Sequence, residues 1–302
     1  MSKRTIGFVG LGNMGWPMAA NLHAAGFPLV VRDIDTALQA AFAAEHSGTG
    51  QPGTVAAAAP DAFADADIVV TMLPNGAIVH DALLGWGIAA ALPDGALVLE
   101  MSSSDPVDTL KLGTSLAQQS VALVDAPVSG GVPRAVTGEL SLMVGGGDDD
   151  VARAQPVLRV LGDPARQFRT GALGTGHAMK ALNNVIAAAT TCVTAEALVA
   201  GARFGLDPAT MLDVINSSTG RSFVSEIFAS EVITGRYGTG FAVGLLAKDV
   251  RIAASVATAA GVDAPAITLT TERWAKALAA LGPAADQSKA HQAWWADKLG
   301  DQ

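Results

Sequence analysis

Short apolar runs alternate with stretches of helical pattern through the first half of the chain. Several of the runs are continuously apolar, as expected of strands that are covered on both faces, and helical segments lie between most of them. The pattern predicts βαβ units and an α/β domain with a mostly parallel sheet. The predicted strands are Thr5–Val9, Leu29–Arg32, Ile68–Met72, Ala96–Leu99, Ala122–Val124, Leu140–Val144 and Gln167–Arg169.

Beyond about Thr170 the pattern changes to long segments rich in Ala, Leu and Val, with no predicted strand. A helix over 175–203 opens this part, and it is apolar nearly all round, which predicts that it is buried between the two domains or between subunits. Asp207-Pro208 and Asp263-Ala264-Pro265 are typical of helix starts, since Asp caps a helix and Pro suits its first turn. We expect two domains, an α/β domain over 1–171 and an all-helical domain over 172–302 that begins with this long interdomain helix.

A glycine-rich turn, Gly10-Leu11-Gly12-Asn13-Met14-Gly15, follows the first predicted strand and opens a helix that ends near Ala25. This is the G-x-G-x-x-G pattern in the strand–turn–helix context of a Rossmann-type domain. The first glycine permits the tight turn, the second lets the backbone approach a pyrophosphate, and the third lets helix and strand pack closely. The helix N-terminus adds N–H groups and a positive dipole end. The turn predicts dinucleotide binding, the alternative being a glycine-rich turn without a ligand.

Asp33 ends the second predicted strand and follows Gly15 by 18 residues, near the roughly 20 that the fingerprint expects. A carboxylate there accepts hydrogen bonds from ribose hydroxyls and repels a 2′-phosphate, and Ile34 rather than a basic residue follows it. These features favour NAD over NADP. Arg32 could instead turn toward a 2′-phosphate, although strand alternation directs it to the face opposite Asp33.

The composition excludes several classes of protein. The chain has 302 residues and a net charge of −9, without a basic run, which argues against nucleic-acid binding. The longest apolar stretch contains polar and charged residues such as Asn183 and Glu196, which argues against a membrane span. The N-terminus lacks the apolar core of a signal peptide. The single cysteine, Cys192, fits a reducing compartment, so we expect a cytoplasmic protein.

If the chain is a nicotinamide enzyme, the residues that it lacks restrict the choice of catalytic group. The five histidines are scattered and there is one cysteine, so neighbouring positions give no zinc site, and we expect no metal. The single tyrosine, Tyr237, is followed four residues later by Phe241, which excludes a Tyr-x-x-x-Lys mechanism. His177 could serve a His–Asp pair or be structural.

Lys180 is the remaining candidate. It lies in the first turns of the long helix, after Gly174 and Gly176, and Asn184 stands four residues on, on the same helix face. A lysine in apolar surroundings is either paired or functional. Its alternatives are therefore an interfacial ion pair and a role in chemistry.

Four segments together resemble the β-hydroxyacid dehydrogenase family, which includes 3-hydroxyisobutyrate dehydrogenase, tartronate semialdehyde reductase and L-threonate dehydrogenase. Their order and spacing span nearly the whole chain, so the resemblance is specific for the family and much less so for the substrate. The segments are Gly7–Ala19, Asp125–Gly131 continuing to Gly146, Gly174–Asn184, and Lys248-Asp249.

The resemblance implies a role for individual residues. Lys180 matches the catalytic lysine, and Asn184 matches a substrate-contacting asparagine whose alternative is a satisfied helix residue. The substrate-binding loop is matched by Ser129, Gly130 and Gly131, which would otherwise be an ordinary turn. Matched cofactor contacts, besides the glycine-rich turn and Asp33, are Leu73, Pro74, Ile78, Ser103 and Lys248; the last could also be a solvated charge.

The sequence therefore predicts an NAD-preferring oxidoreductase that transfers a hydride between nicotinamide and the hydroxyl-bearing carbon of a small, 3-hydroxyisobutyrate-like acid, with Lys180 as general acid/base. The helical domain would bind substrate and build a homodimer or homotetramer. An imine reductase on the same fold is one alternative, although such enzymes usually lack the lysine. A non-catalytic dinucleotide-binding interaction protein is the other. Arg221 would hold an anion or be a surface residue, and Trp294-Trp295 would pack rather than line a pocket or an interface.

Overall fold

The computed structural model describes residues 4–47 and 53–294. The chain divides into two units, Met1–Lys180 and Ala181–Gln302. The first unit contains the β-sheet, and the described part of the second is helical.

The first unit is built on a mostly parallel sheet, as predicted. The strands are β1 Ile6–Val9, β2 Leu29–Arg32, β3 Thr54–Ala56, β4 Ile68–Thr71, β5 Leu97–Glu100, β6 Ala122–Asp125, β7 Val128–Ser129, β8 Leu140–Gly145 and β9 Gly162–Gly171. Their order in the sheet is β3-β2-β1-β4-β5-β6-β8-β7, with β9 beside β8. Neighbours from β3 to β6 run parallel, β8 is antiparallel to β6 and β7, and β9 is parallel to β8.

The continuous apolar runs arise because both faces of the central strands are covered. In β4, Ile68 and Val70 pack into one core cluster while Val69 packs into the other. Leu99 and Val98 of β5 divide in the same way. Successive side chains of a strand point to opposite faces, so both faces of a doubly covered strand are apolar, and in β4 and β5 only the last residues, Thr71 and Glu100, are polar.

The helices lie between the strands and fill the second unit. Two π-helical segments, Asp81–Gly85 and Val224–Phe228, and two 3₁₀ segments, Pro60–Phe63 and Gln287–Lys289, complete the order. The α-helices are α1 Gly15–Ala24, α2 Thr36–Glu45, α3 Gly76–His80, α4 Ile88–Ala91, α5 Pro106–Ala117, α6 Gly131–Thr137, α7 Asp148–Leu161, α8 Thr175–Phe204, α9 Pro208–Asn216, α10 Ala229–Ile233, α11 Val243–Ala259, α12 Pro265–Leu281 and α13 Ala290–Trp294.

Both predicted helix starts are confirmed, but the capping residue of one differs from the prediction. Asp207 caps α9, since its side chain accepts from the backbone N–H of Thr210. Helix α12 begins at Pro265 as predicted, but its N-cap is Ala264, which makes no side-chain cap. Asp263 therefore is not the capping residue.

The long helix α8 is less buried in this single chain than its composition predicted. Ile186 is 67% exposed and Val193 is 60% exposed. Among the described residues α8 is the helix long and apolar enough to cross a membrane, a test that core helices of soluble proteins also pass.

The core of the second unit forms around Trp274. This side chain is fully buried and meets Trp294 edge to face, with ring centroids 5.5 Å apart. Trp294 therefore packs, as predicted, whereas Trp295 lies outside the described residues. Arg221 is exposed and its Nε lies 2.6 Å from Oε1 of Glu226, a surface ion pair.

Candidate active site

The three glycines of the turn between β1 and α1 face different surroundings. Gly10 has φ +99°, and a Cβ there would overlap the carbonyl oxygen of Met72. A Cβ on Gly15 would overlap the carbonyl oxygen of Gly10. A Cβ on Gly12 would meet no atom within 4 Å. The outer glycines therefore close the turn, and the middle one borders open space where a ligand can approach the backbone.

Asp33 joins the ends of β2 and β1. Its Oδ2 accepts from the backbone N–H of Leu11 at 2.6 Å, and its Oδ1 accepts from that of Asp35 at 2.9 Å. A carboxylate has about four lone-pair sites, so capacity remains for the hydroxyls of a ribose. The side chain is half-buried at the edge of the glycine-rich turn, and these features fit a bound dinucleotide.

Arg32 is held by its own neighbours. Its guanidinium lies 4.6 Å from the ring centroid of Trp86, its Nη1 lies 3.1 Å from Oε1 of Gln39, and it contacts the carbonyl oxygen of Asp33. A rotation toward a 2′-phosphate would break the contacts with Trp86 and Gln39.

The loops that follow β4 and β5 reach the same sheet edge as the glycine-rich turn, since β4 pairs with β1 and β5 with β4. The backbone N–H of Leu73 donates to Oγ of Ser102 at 2.9 Å, which ties the two loops together. Asn75 caps α3 by accepting from the N–H of Ile78 at 3.0 Å. This edge therefore carries the predicted cofactor contacts Leu73, Pro74, Ile78 and Ser103.

Asp125, at the end of β6, fixes the start of α8. Its Oδ1 accepts from the N–H of Gly174 at 2.7 Å, and its Oδ2 accepts from the N–H of His177 at 2.8 Å. Asp125 carries no predicted role, although an acidic residue at the end of a buried strand is a signal for one. The chain leaves Asp125 toward Ser129, so one buried carboxylate stands between the predicted substrate loop and the turn that leads to Lys180.

The predicted substrate loop has an open backbone. Gly130 has φ +133° and Gly131 has φ +65°, conformations that favour glycine. Both residues are exposed, and Ser129 beside them is half-buried. The loop thus offers a hydroxyl and unobstructed N–H groups, which suit a carboxylate.

A second buried cluster lies beside the first turn of α8. Nε2 of His177 is 2.6 Å from Oε2 of Glu100, and Nδ1 is 2.8 Å from Oγ1 of Thr109. Burial raises the pKa of Glu100, but the charge of His177 and hydrogen bonds from His177 and Ser102 outweigh it and hold that pKa below its ordinary value. His177 is 1% exposed and both its ring nitrogens meet buried side chains. A structural role therefore fits it better than a His–Asp catalytic pair.

In the second unit a buried carboxylate, Asp249, links two predicted site residues. The Nδ2 of Asn184 donates to its Oδ2 at 2.6 Å, and the Nζ of Lys248 lies 3.4 Å from its Oδ1. Asp249 belongs to the Lys-Asp pair of the sequence and carries no predicted role. It orients the amide on α8 and the ammonium on α11.

No group of three or more His, Cys, Asp or Glu that could hold a metal occurs within 4–47 and 53–294.

Two family profiles together cover most of the chain. The profile described as the NAD-binding domain of 6-phosphogluconate dehydrogenase matches residues 5–174. The profile described as the NAD-binding domain of NADP-dependent 3-hydroxyisobutyrate dehydrogenase matches residues 174–294.

Named relatives are similar along most of their length. The 2-(hydroxymethyl)glutarate dehydrogenase of Eubacterium barkeri is 36% identical over 269 residues, covering 88% of this chain and 87% of that protein. The mitochondrial 3-hydroxyisobutyrate dehydrogenase of Homo sapiens is 37% identical over 267 residues, covering 85% of this chain and 76% of that protein.

Solved structures share the architecture. The 3-hydroxyisobutyrate dehydrogenase of Mycobacterium tuberculosis with L-serine superposes with a TM-score of 0.85 at 31% identity, covering 96% of this chain and 99% of that one. An imine reductase of Streptomyces aurantiacus has a TM-score of 0.61 at 18% identity, covering 94% and 98%. The second likeness shows the fold alone.

Proposed function

The chain belongs to the β-hydroxyacid dehydrogenase family, and we propose that it is an NAD-preferring oxidoreductase acting on the hydroxyl-bearing carbon of a small 3-hydroxy acid. The observation that carries the proposal is the position of Asp125. This buried carboxylate holds the N-terminus of α8, which carries Lys180, and stands four residues before Ser129 of the anion-binding loop. A lysine and an acid-binding loop are the two elements that this chemistry needs.

Residues of the chain transfer the proton and bind the carboxylate of the substrate. In oxidation the neutral amine of Lys180 accepts the proton of the substrate hydroxyl, and in reduction its ammonium returns the proton to the forming alkoxide. The hydroxyl of Ser129 and the N–H groups of Gly130 and Gly131 hold the carboxylate. Asn184, oriented by Asp249, contacts the substrate oxygen. A nicotinamide cofactor held at the glycine-rich turn and Asp33 would supply the hydride-transfer chemistry.

The cofactor preference rests on the end of β2. The glycine-rich turn leaves room beside Gly12 for a pyrophosphate, and Asp33 retains acceptor sites for ribose hydroxyls. Its negative charge opposes a 2′-phosphate, and Arg32 is held on Trp86 and Gln39. Lys248 is the cofactor contact that we propose from the second unit.

Steady-state oxidation of 3-hydroxy acids with increasing side-chain size tests the reaction and the cofactor together. We expect turnover of at least one acid, with a kcat/KM for NAD at least about tenfold above that for NADP, a difference of about 1.4 kcal/mol. Asp33→Ser, which removes the charge, should shrink this ratio.

Each other outcome of this assay contradicts a stated part of the proposal. A preference for NADP would overturn the cofactor assignment and leave the reaction intact. Reduction of imines without turnover of any hydroxy acid would identify an imine reductase. NAD binding without any turnover would favour an interaction protein.

We further propose that copies of this chain associate through α8, and that the enzyme is soluble and cytoplasmic. The exposed apolar side chains of Ile186 and Val193 on this helix support the association, because removing such side chains from water is favourable. We expect sedimentation equilibrium to give a dimer or tetramer, and a monomer at micromolar concentration would contradict this.

A further inference from the structure

We propose that Glu100 and His177 form a buried positioning pair that fixes the place of Lys180. The proposal rests on the proposed proton-transfer role of Lys180, and it assigns a function to two residues that touch neither substrate nor cofactor. All the residues that carry it belong to the first unit, Met1–Lys180.

The pair lies at the point where the orientation of α8 is set. His177 precedes Lys180 by three residues, about 4.5 Å along a helix axis. Its imidazole reaches β5 through Glu100 and α5 through Thr109, while its backbone N–H reaches β6 through Asp125. Three elements therefore hold one helical turn, and the helix cannot slide or rotate there without breaking a buried contact.

We infer a positive charge on the imidazole from its two contacts. The hydroxyl of Thr109 has one hydrogen, and its oxygen lies 3.0 Å from the carbonyl oxygen of Asp105 and 2.8 Å from Nδ1 of His177. We assign that hydrogen to the Asp105 carbonyl, so that Nδ1 donates to Thr109. Nε2 at 2.6 Å from the Glu100 carboxylate also needs a proton. Both ring nitrogens then carry hydrogen, and the result is an imidazolium paired with a carboxylate.

Charged groups around the imidazole support this assignment. Glu100 faces it from β5, Asp125 from β6, where Oδ2 lies 3.8 Å from Nδ1, and Thr109 from α5 is neutral. Lys180 stands on the same helix. The pair itself is neutral overall, so it fixes the helix without adding net charge beside the lysine.

Loss of Glu100 would leave a buried imidazolium without its partner, and such a group must lose its proton or move. Either change frees the first turn of α8 from β5. Proton transfer at Lys180 depends on placement, and a misplacement of about 1 Å costs on the order of 10²-fold in rate.

A cavity of about 350 Å³ gives access to the pair from the surface. Its lining includes the buried residues Glu100, Ser104 and Thr109 and the exposed residues His80, Asp108 and Lys111. A small carboxylate such as acetate is small enough to enter it. The space left by Glu100→Ala is therefore open to chemical rescue.

The decisive variant is Glu100→Ala, assayed for hydroxy-acid oxidation with and without acetate. We expect kcat to fall on the order of 10²-fold, with little change in KM and in the dissociation constant of NAD. Acetate should restore at least about a tenth of the lost activity, and chloride at equal ionic strength should not. Asp108→Ala removes an exposed carboxylate from the same cavity and should keep the wild-type rate and show no response to acetate.

Two measurements test the positioning pair independently of enzyme activity. In the wild type, nitrogen chemical shifts of His177 should show both ring nitrogens protonated at neutral pH. Amide hydrogen exchange over residues 178–182 should be faster in Glu100→Ala and slower again with acetate. If that variant does not fold, Thr109→Val, which removes the Nδ1 acceptor, should also make exchange over residues 178–182 faster, with a smaller loss of about tenfold in kcat.

Failure of the positioning pair and failure of the proposed function give different results. A neutral His177 with unchanged exchange in the variant overturns the positioning pair, as does a wild-type kcat in Glu100→Ala. If the wild type turns over no hydroxy acid, or Lys180→Ala stays active, the proposed function fails, while the chemical shifts and the exchange still decide whether the pair fixes this turn.

Discussion

Lys180→Ala lowers kcat for oxidation of the best hydroxy acid about 10²- to 10⁴-fold, the range typical of a lost general acid/base, and leaves the dissociation constant of NAD within about twofold. The proton of the substrate hydroxyl then has no acceptor on α8, whereas the glycine-rich turn and Asp33 are untouched. Steady-state rates at saturating substrate, together with a calorimetric titration of NAD, measure the two effects separately.

Two further lysine variants show whether the chemistry or only the charge is lost. Lys111 belongs to the same unit, is exposed and pairs with Asp108 at 2.8 Å, so Lys111→Ala removes an equal charge and should leave kcat unchanged. Lys180→Arg keeps the charge, but a guanidinium does not give up its proton in proteins, so oxidation should stay low. Activity of Lys180→Ala above a tenth of the wild type would rule out the lysine as general acid/base.

The strands and the nucleotide turn could be predicted because their signals are local. Strands β4 and β5 are buried on both faces, which imposes an almost unbroken apolar run. The glycine spacing of the turn lies within six residues, and the overlap that requires Gly15 is with Gly10 of the same turn. The strands that escaped prediction, β3 and β7, are three and two residues long. A run that short has too few positions to show alternation.

The clusters that support the site could not be predicted in the same way, because their partners are far apart in the chain. Asp125 and His177 are separated by 52 residues, and Asn184 and Asp249 by 65. Each acidic residue follows or interrupts an apolar segment, which marks it as unusual but does not name its partner. Only the positions of β5, β6 and α8 in the folded structure show that Glu100 and Asp125 both contact His177.

We expect the second large effect in the glycine-rich turn, where alanine substitutions at two glycines should have opposite consequences. One should weaken NAD binding, and the other should destabilise the fold. Gly12→Ala is expected to keep the thermal stability of the wild type, since a Cβ there meets no atom within 4 Å and φ is not positive. The same methyl group occupies space beside the backbone where a pyrophosphate would lie. The dissociation constant of NAD should therefore rise about 10- to 100-fold, equivalent to about 1.4–2.8 kcal/mol.

Gly15→Ala is the matched substitution with the reverse outcome. Its methyl group overlaps the carbonyl oxygen of Gly10, so α1 must move away from the turn, and the strain of such overpacking costs about 3 kcal/mol of folding free energy. Denaturant unfolding and NAD titration of both variants separate the effects. If Gly12→Ala bound NAD as tightly as the wild type, the dinucleotide would not lie against this turn. If Gly15→Ala were as stable as the wild type, the close packing of the turn on α1 would not be what requires glycine at that position.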